Sequence, residues 1–206
     1  DHSFFGPDAD GDGVADRIVY QWDFAEGDAD ASDHNNHGSH TSSLIGSSDA
    51  TYGGVAQGVD LISLKVFQDD GKGYFAYLER ALQWVVENAD SFNVGVVNLS
   101  LGDGGNWDAA IGRYGLGDEL AALAAKNIIV TAASGNNYAK VGGAWGVSYP
   151  AADPAVRSYA VTAGPVGVTV ASVDGVDPAL APHTVPTHKP GSDPVRTRSE
   201  LEDAFA

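Results

Sequence analysis

Hydrophobic and polar residues follow two different periods along the chain, and the period changes at regular intervals. Apolar runs of strand length alternate with segments in which apolar residues recur every three to four positions. The first pattern favours β-strands, and the second favours amphipathic helices. The predicted strands are residues 17–24, 59–67, 94–100, 127–133 and 158–163. The predicted helices are residues 74–88 and 118–126.

The order of these elements predicts an α/β fold. Strands that alternate with helices form right-handed crossovers and a parallel sheet. The segment 127–133 is almost entirely apolar, as in a strand that is covered on both faces. We therefore expect a doubly wound, mostly parallel sheet with helices on both faces.

The sequence after residue 163 has a different character. Proline recurs every fourth residue from Pro178 to Pro194. Proline at this density excludes a regular helix and disfavours a central strand. We expect a domain of residues 1–163, followed by a proline-rich tail or altered C-terminal segment, residues 164–206, in an extended conformation.

An acidic loop near the start of the chain, residues 8–19, has the spacing of a calcium site. Carboxylates occupy loop positions 1, 3, 5 and 9, and glycine occupies position 6, where the turn is sharp. The predicted ligands are Asp8, Asp10, Asp12, the carbonyl group of Val14, and Asp16. Val19 stands where an EF-hand has its bidentate glutamate, so the loop is closer to the Asp-rich loops of extracellular proteins. Because four close carboxylates repel one another, a structural calcium ion is favoured over a solvated acidic turn.

Three histidines, His34, His37 and His40, lie within seven residues and suggest zinc ligands. On one helix, positions 34 and 40 would lie about 120° apart, so the three converge only if His34 precedes the helix. Polar surface histidines are the second interpretation. A third interpretation of these histidines depends on segments further along the chain.

Four segments, taken in order, resemble those of the subtilisin-like serine proteases, the subtilases. Residues 37–40 resemble the His-Gly-Thr-His block of that family, and residues 98–102 resemble the strand that pairs with substrate. Residues 134–136 resemble the Ala-Gly-Asn block, and residues 148–151 resemble the Tyr-Pro-Ala turn. The resemblance covers residues 1–163 and implies a subtilisin-like fold that is incomplete at both ends.

The resemblance implies a serine endopeptidase that hydrolyses peptide bonds by acyl transfer. His37 would be the general base, and the amide of Asn136 would bind the oxyanion. An imidazole at a loop-to-helix junction and an amide just past an apolar strand suit these roles chemically. The residues that would hold an extended substrate are Ser100, Leu101, Gly102, Ala133, Ser134 and Gly135.

Two catalytic groups of that family have no counterpart in the chain. No serine after Asn136 lies in the Gly-Thr-Ser motif of the nucleophile, and Asp1 lacks the apolar strand that precedes the catalytic aspartate. Asp33 is better explained as a loop or capping residue. We expect the nucleophile and the aspartate outside these 206 residues, and the chain as given to be inactive. The alternatives are a non-catalytic scaffold protein that binds peptide or calcium and, more weakly, a metal-dependent hydrolase built on the histidines.

Composition restricts the classes of partner and the cellular compartment that we expect for this protein. The chain has 28 acidic and 11 basic residues and a net charge of −17, which argues against nucleic acid and membranes as partners. It has no cysteine, and hence no disulfide or thiolate metal site. It also has no methionine, from which we expect a chain that has been processed or cut from something longer. Because a weak calcium loop suits the millimolar calcium outside cells, we expect a secreted protein whose partners are protein or peptide substrates.

Overall fold

The computed structural model describes residues 3–137, 139–156, 159–164, 167–172 and 183–184. The chain forms two compact units, Asp1–Asn93 and Val94–Ala206. Each unit is built around a pair of parallel strands. Among the described residues, no helix is long and apolar enough to cross a membrane.

The first unit contains a pair of parallel strands and two helices. Its strands are β1 (Ile18–Asp23) and β2 (Leu61–Lys65), and Asp23 lies opposite Lys65. Helix α1 (His37–Gly46) lies between the strands in the chain, and α2 (Phe75–Asn88) follows β2. A short 3₁₀ helix, Ser3–Phe5, precedes them. The predicted strands at 17–24 and 59–67 and the predicted helix at 74–88 are confirmed.

The apolar stripe of α2 forms the core of the first unit. Its buried side chains recur at helical spacing and are Leu78, Ala81, Leu82 and Val85. Trp84 stacks on Tyr20 of β1, with the ring centroids 4.3 Å apart. This ring contact fixes α2 against β1.

The second unit repeats the strand–helix–strand pattern. Strands β3 (Val96–Leu99) and β4 (Ile129–Ala132) pair in parallel, and α3 (Gly117–Ala125) connects them. The core contains leucines from α3 and its N-cap together with residues of the 147–156 segment. Its fully buried apolar side chains include Leu116, Leu120, Leu123, Val147, Tyr149 and Val156. The predicted strands at 94–100 and 127–133 and the helix at 118–126 are confirmed. One register pair, Val96 and Ile129, is 60% and 50% exposed.

A three-stranded antiparallel sheet follows in the second unit. Strand β5 (Tyr159–Gly164) confirms the strand predicted at 158–163, but it pairs with β6 (Gly167–Ser172), which in turn pairs with β7 (His183–Thr184). Strand β6 lies where an extended tail was predicted. Its Gly-Val-Thr-Val-Ala-Ser sequence is rich in β-branched residues and contains no proline. The prolines at 178–194 lie outside the described residues.

Candidate active site

His37 is the first residue of α1, and the preceding loop fixes this end of the helix. Asn36, the N-cap residue, has a φ of 69°, a left-handed conformation that asparagine tolerates. The carboxylate of Asp33 accepts backbone hydrogen bonds from Asn35 (2.9 Å), Asn36 (2.9 Å) and Ser39 (2.7 Å). Asp33 therefore caps the helix from the loop, as predicted, and sets the direction in which α1 leaves it.

The ionised form of Asp33 is the one that fits this cap. Partial burial is the largest single effect and would raise the pKa of Asp33. The hydrogen bonds from Ser39, Asn35 and Asn36 act in the opposite direction and hold the pKa of Asp33 below its usual value. The start of α1 therefore keeps its capping charge at neutral pH.

A chain of ion pairs ties the same loop to the ends of β1 and β2. Lys65 donates to the buried carboxylate of Asp23 at 2.7 Å and also pairs with Asp69. Asp69 contacts the Nδ1 atom of His34 at 3.0 Å. His34 lies three residues before His37, so the entry into α1 is held from the strand ends as well as by Asp33.

The acidic loop brings together part of the predicted calcium site. Carboxylate oxygens of Asp8, Asp10 and Asp16 lie within 4.8 Å of one another. Asp8 also accepts backbone hydrogen bonds from the turn at residues 11–13, which keeps the loop folded around this carboxylate. Asp12 is not in the group of three, and its carboxylate accepts the N–H of Val14 at 2.8 Å.

The three histidines do not form a comparable group. Within the described part of the chain, no other set of three metal-binding side chains has its ligand atoms this close. His34 instead pairs with Asp69. The zinc interpretation therefore receives no structural support.

The two predicted substrate segments lie side by side at the carboxyl ends of β3 and β4. The N–H of Ala133 donates to the carbonyl of Leu99 at 3.0 Å, which continues the strand pairing into the loops. Ser134 accepts the N–H of Ser148 at 2.8 Å, and Tyr149 accepts the N–H of Asp103 at 2.9 Å. The second segment is thus bonded to Ser148, and the residue that follows the first segment is bonded to the next residue, Tyr149.

Ser148 separates the two segments and requires glycine on both sides. Its side chain is buried. A Cβ atom on Gly102 would lie 2.8 Å from the Cβ of Ser148, and a Cβ on Gly135 would lie 2.5 Å from its Oγ. Gly135 also has a φ of 96°, which disfavours any side chain. Sequence reasoning placed Ser148 only in a turn motif and missed this contact.

Asp103 was also missed, although it directly follows the first substrate segment. Its carboxylate accepts hydrogen bonds from the backbone of Gly105 and Tyr149 at 2.8 and 3.0 Å. The indole of Trp107 and the hydroxyl of Tyr114 donate to it as well, at 3.1 and 3.3 Å. Burial alone would raise the pKa of Asp103, but these hydrogen bonds together hold it below the usual value. The sequence did show a polar residue just after a strand, which is a signal for a functional position. Its hydrogen-bond partners could not be predicted, because they are up to 46 residues away.

Asn136 and its neighbour Asn137 have different surroundings. Asn137 donates to the carbonyl of Gly104 at 2.8 Å and so ties the two loops together. Asn136 is exposed. Asn98 is bonded within the strands, since it donates to Ser100 at 2.8 Å and accepts from Thr131 at 3.2 Å. His37 belongs to the first unit, whereas Asn136 and the substrate segments belong to the second.

Comparison with known proteins identifies the class of this chain. The family model described as the subtilase family matches residues 3–183. The chain therefore belongs to the subtilase family of serine endopeptidases, as the four motifs predicted.

Individual relatives agree with this assignment. The chain is 41% identical over 88 residues to alkaline serine exoprotease A of Vibrio alginolyticus, which is 43% of this chain and 16% of that protein. It is 31% identical over 148 residues to the thermostable alkaline protease of Halalkalibacterium halodurans, which is 70% of this chain and 36% of that protein. It is also 31% identical over 130 residues to subtilisin BL of Lederbergia lenta, 62% of this chain and 43% of that protein. The chain thus spans less than half the length of these relatives.

A solved structure supports the fold. Sphericase matches with a TM-score of 0.52 and 20% sequence identity, over 77% of this chain and 53% of that chain. At this level of identity the likeness concerns the fold alone. The predicted α/β subtilisin-like architecture, with its parallel strand pairs and helices, is confirmed.

The contact at Ser148 predicts that Gly102→Ala destabilises the second unit. The new methyl group would overlap the Cβ of Ser148, and overpacking of this kind costs about 1–3 kcal/mol in the free energy of unfolding. Adding Ser148→Gly should restore part of the loss, because it removes the atom that clashes. Gly112→Ala is the matched control, since a Cβ there meets nothing within 4 Å. Urea denaturation gives the free energy of unfolding of the unmodified chain, of Gly102→Ala, of the double variant with Ser148→Gly, and of Gly112→Ala. Equal stability of Gly102→Ala and Gly112→Ala would contradict the contact.

The buried phenol of Tyr149 predicts a loss of stability at alkaline pH. Burial raises the pKa of Tyr149 from 10.0 to about 12, and its hydroxyl donates to Asp153 at 3.2 Å. A raised pKa favours the neutral phenol in the folded state, so this contribution is complete below about pH 10 and is lost as pH rises through about 12. Thermal unfolding between pH 9 and 12 should show a steeper decline for the parent chain than for Tyr149→Phe. Tyr52→Phe, at an exposed ring, should keep the parent's slope; identical slopes in all three would refute the assignment.

Proposed function

We propose that this chain is most of the catalytic domain of a secreted, calcium-binding serine endopeptidase. Membership of the subtilase family carries the proposal. It is supported by the two loops at the ends of β3 and β4, which are bonded to the consecutive residues Ser148 and Tyr149, and by the exposed Asn136 that follows the second segment. The substrates are proteins or peptides, bound in extended form.

The strand ends of the second unit bind the peptide. Residues 100–102 and 133–135 offer backbone N–H and carbonyl groups to an extended substrate, which adds to them as a further strand. Ser148 sets the spacing between the two segments. The scissile carbonyl then lies next to the end of β4, within reach of Asn136.

Acyl transfer follows from the roles of His37 and Asn136. A serine hydroxyl attacks the scissile carbonyl while the imidazole of His37 takes its proton. The carbonyl oxygen becomes negatively charged, and the amide of Asn136 donates a hydrogen bond to it. His37 returns the proton to the leaving amine as the C–N bond breaks. Water then hydrolyses the serine ester, with the same imidazole as base.

The nucleophilic serine and the carboxylate that orients His37 come from sequence outside these 206 residues. No Gly-Thr-Ser motif follows Asn136 in the chain. The same observation favours a second candidate, a non-catalytic scaffold protein that binds peptide or calcium. A serine-directed phosphonate separates the two, because it labels only a protein that has an activated serine.

The activity test uses the longer protein that contains this chain, which is called the parent protein in this test. Asn136→Ala should lower kcat by about 10²- to 10³-fold, the loss that a missing oxyanion donor causes in subtilisin. His37→Ala should remove phosphonate labelling. Asn137→Ala is the matched control, because its amide bonds to Gly104; it should cost stability and leave kcat within about tenfold of the parent. Absence of labelling in a folded parent protein would favour the non-catalytic candidate.

Calcium is the ion that the acidic loop is proposed to hold. The predicted ligands are Asp8, Asp10, Asp12, the carbonyl of Val14, and Asp16. Three of these carboxylates already converge, and hard oxygen donors in this number suit calcium. The ion would neutralise the loop and stiffen it, and its weak binding would match the calcium concentration outside cells.

Calcium should therefore stabilise the chain against unfolding. With a Kd of about 1 mM, 10 mM CaCl₂ adds about 1.4 kcal/mol to the free energy of unfolding. Asp8→Asn should abolish this gain, whereas Asp118→Asn, which removes the same charge in the second unit, should preserve it. Urea unfolding with calcium, with magnesium and with EDTA makes the comparison. Equal gains from calcium and magnesium, or a full gain in Asp8→Asn, would contradict the site.

A further inference from the structure

A positively charged side chain is held by aromatic rings in the loop that follows the first substrate segment. The guanidinium carbon of Arg113 lies 4.3 Å from the ring centroid of Trp107 and 5.0 Å from that of Tyr114. Both distances are within the range of cation–π attraction. We call Trp107, Arg113 and Tyr114 the arginine cluster.

The cluster is fixed to the substrate segment through Asp103. The carboxylate of Asp103, next to Gly102, accepts hydrogen bonds from the indole of Trp107 and the hydroxyl of Tyr114. The backbone of Trp107 exchanges two 2.9 Å hydrogen bonds with Val147, the residue before Ser148. The rings that hold Arg113 are therefore part of the same bonded network as the substrate segments.

Within the described part of the chain, no neighbouring carboxylate neutralises the charge of Arg113. Across the described residues, neither an ion pair nor a side-chain hydrogen bond of Arg113 is found, although the whole chain has 28 acidic residues. Asp103 is the carboxylate that bonds to both rings, and its oxygens are already bonded to four donors. Arg113 is only partly buried, so its charge can reach a ligand.

The two rings hold the guanidinium of Arg113 in a position where it can bind a carboxylate. Its central carbon lies over both rings, and its N–H donors lie in the plane of the group, where they match the two oxygens of a carboxylate. Fixing the side chain in advance lowers the conformational entropy that it loses when it binds.

We propose that Arg113 forms a subsite for an acidic side chain, Asp or Glu, of a peptide bound along residues 100–102. The proposal rests on the peptide-binding function proposed above. It adds a substrate preference, because one position of the peptide would then favour a carboxylate over the corresponding amide. A peptide is the ligand to which we commit, since the cluster is continuous with the segment that pairs with peptide backbone.

Peptide binding to the 206-residue chain tests the subsite without any need for catalysis. The probes are acetylated alanine-based hexapeptides that carry Glu at one position, and the same peptides with Gln there. At one position, the Glu peptide should bind about three- to tenfold more tightly than its Gln partner at low salt. The preference should shrink with added NaCl. Arg113→Gln should abolish it, and Arg113→Lys should retain part of it.

Lys140→Gln is the charge-matched control, because it removes one exposed positive charge of the same unit; it should keep the Glu preference. The nitrogen and proton resonances of the Arg113 Nε–H group in the parent chain provide a readout that needs no variant. They should shift with the Glu peptide and not with the Gln peptide. Equal binding of Glu and Gln peptides at every position would overturn the subsite and leave the substrate segments intact. If none of the peptides binds, the proposed peptide-binding function fails, and the subsite fails with it.

Discussion

The contact between one buried serine and two glycines determines the arrangement of the second unit. Ser148 lies so close to Gly102 and Gly135 that neither position has room for a Cβ atom. The N–H of Ser148 donates to Ser134 and the carbonyl of Tyr149 accepts from Asp103, and these two bonds hold the loops at this short spacing. The positions of the strand ends, of the exposed Asn136 and of the arginine cluster depend on this spacing, because each lies on one of these loops. The proposed peptide-binding surface is thus built from backbone that only small residues can bring together.

Carboxylates are the second structural principle of this acidic chain. Asp33 caps α1, Asp103 joins four donors of its own loop and the 149 region, and Asp8 closes the acidic loop around the turn that follows it. In each case, backbone N–H groups stabilise the charge, so the carboxylate and the loop fix each other. Many of the negative charges therefore have a local structural role beyond solubility.

The sequence predicted the elements because local patterns determine them. The strands β1 to β5 and the helices α2 and α3 appear within a few residues of where periodicity placed them. The motif at residues 37–40 and the capping role of Asp33 were also visible, since both depend on neighbours in the chain. Ser148 and Asp103 were missed as determinants because tertiary packing supplies partners that are distant in sequence, Gly102 for Ser148 and Tyr149 for Asp103. Arg113 was missed because an irregular loop, whose conformation no local pattern predicts, brings Trp107 and Tyr114 to it. Strand β6 was missed because the extended conformation predicted for the proline-rich residues after it was assigned to the whole tail.

The central proposal is that a peptide pairs with residues 100–102 and 133–135, and that the amide of Asn136, in the same unit, donates to its scissile carbonyl. A crystal structure of this chain with a bound peptide measures the distance from the Asn136 Nδ2 atom to each carbonyl oxygen of the peptide. The account predicts one of these oxygens at about 3 Å from Nδ2. A peptide that binds away from both segments, with every carbonyl oxygen beyond hydrogen-bond distance of Nδ2, would contradict it.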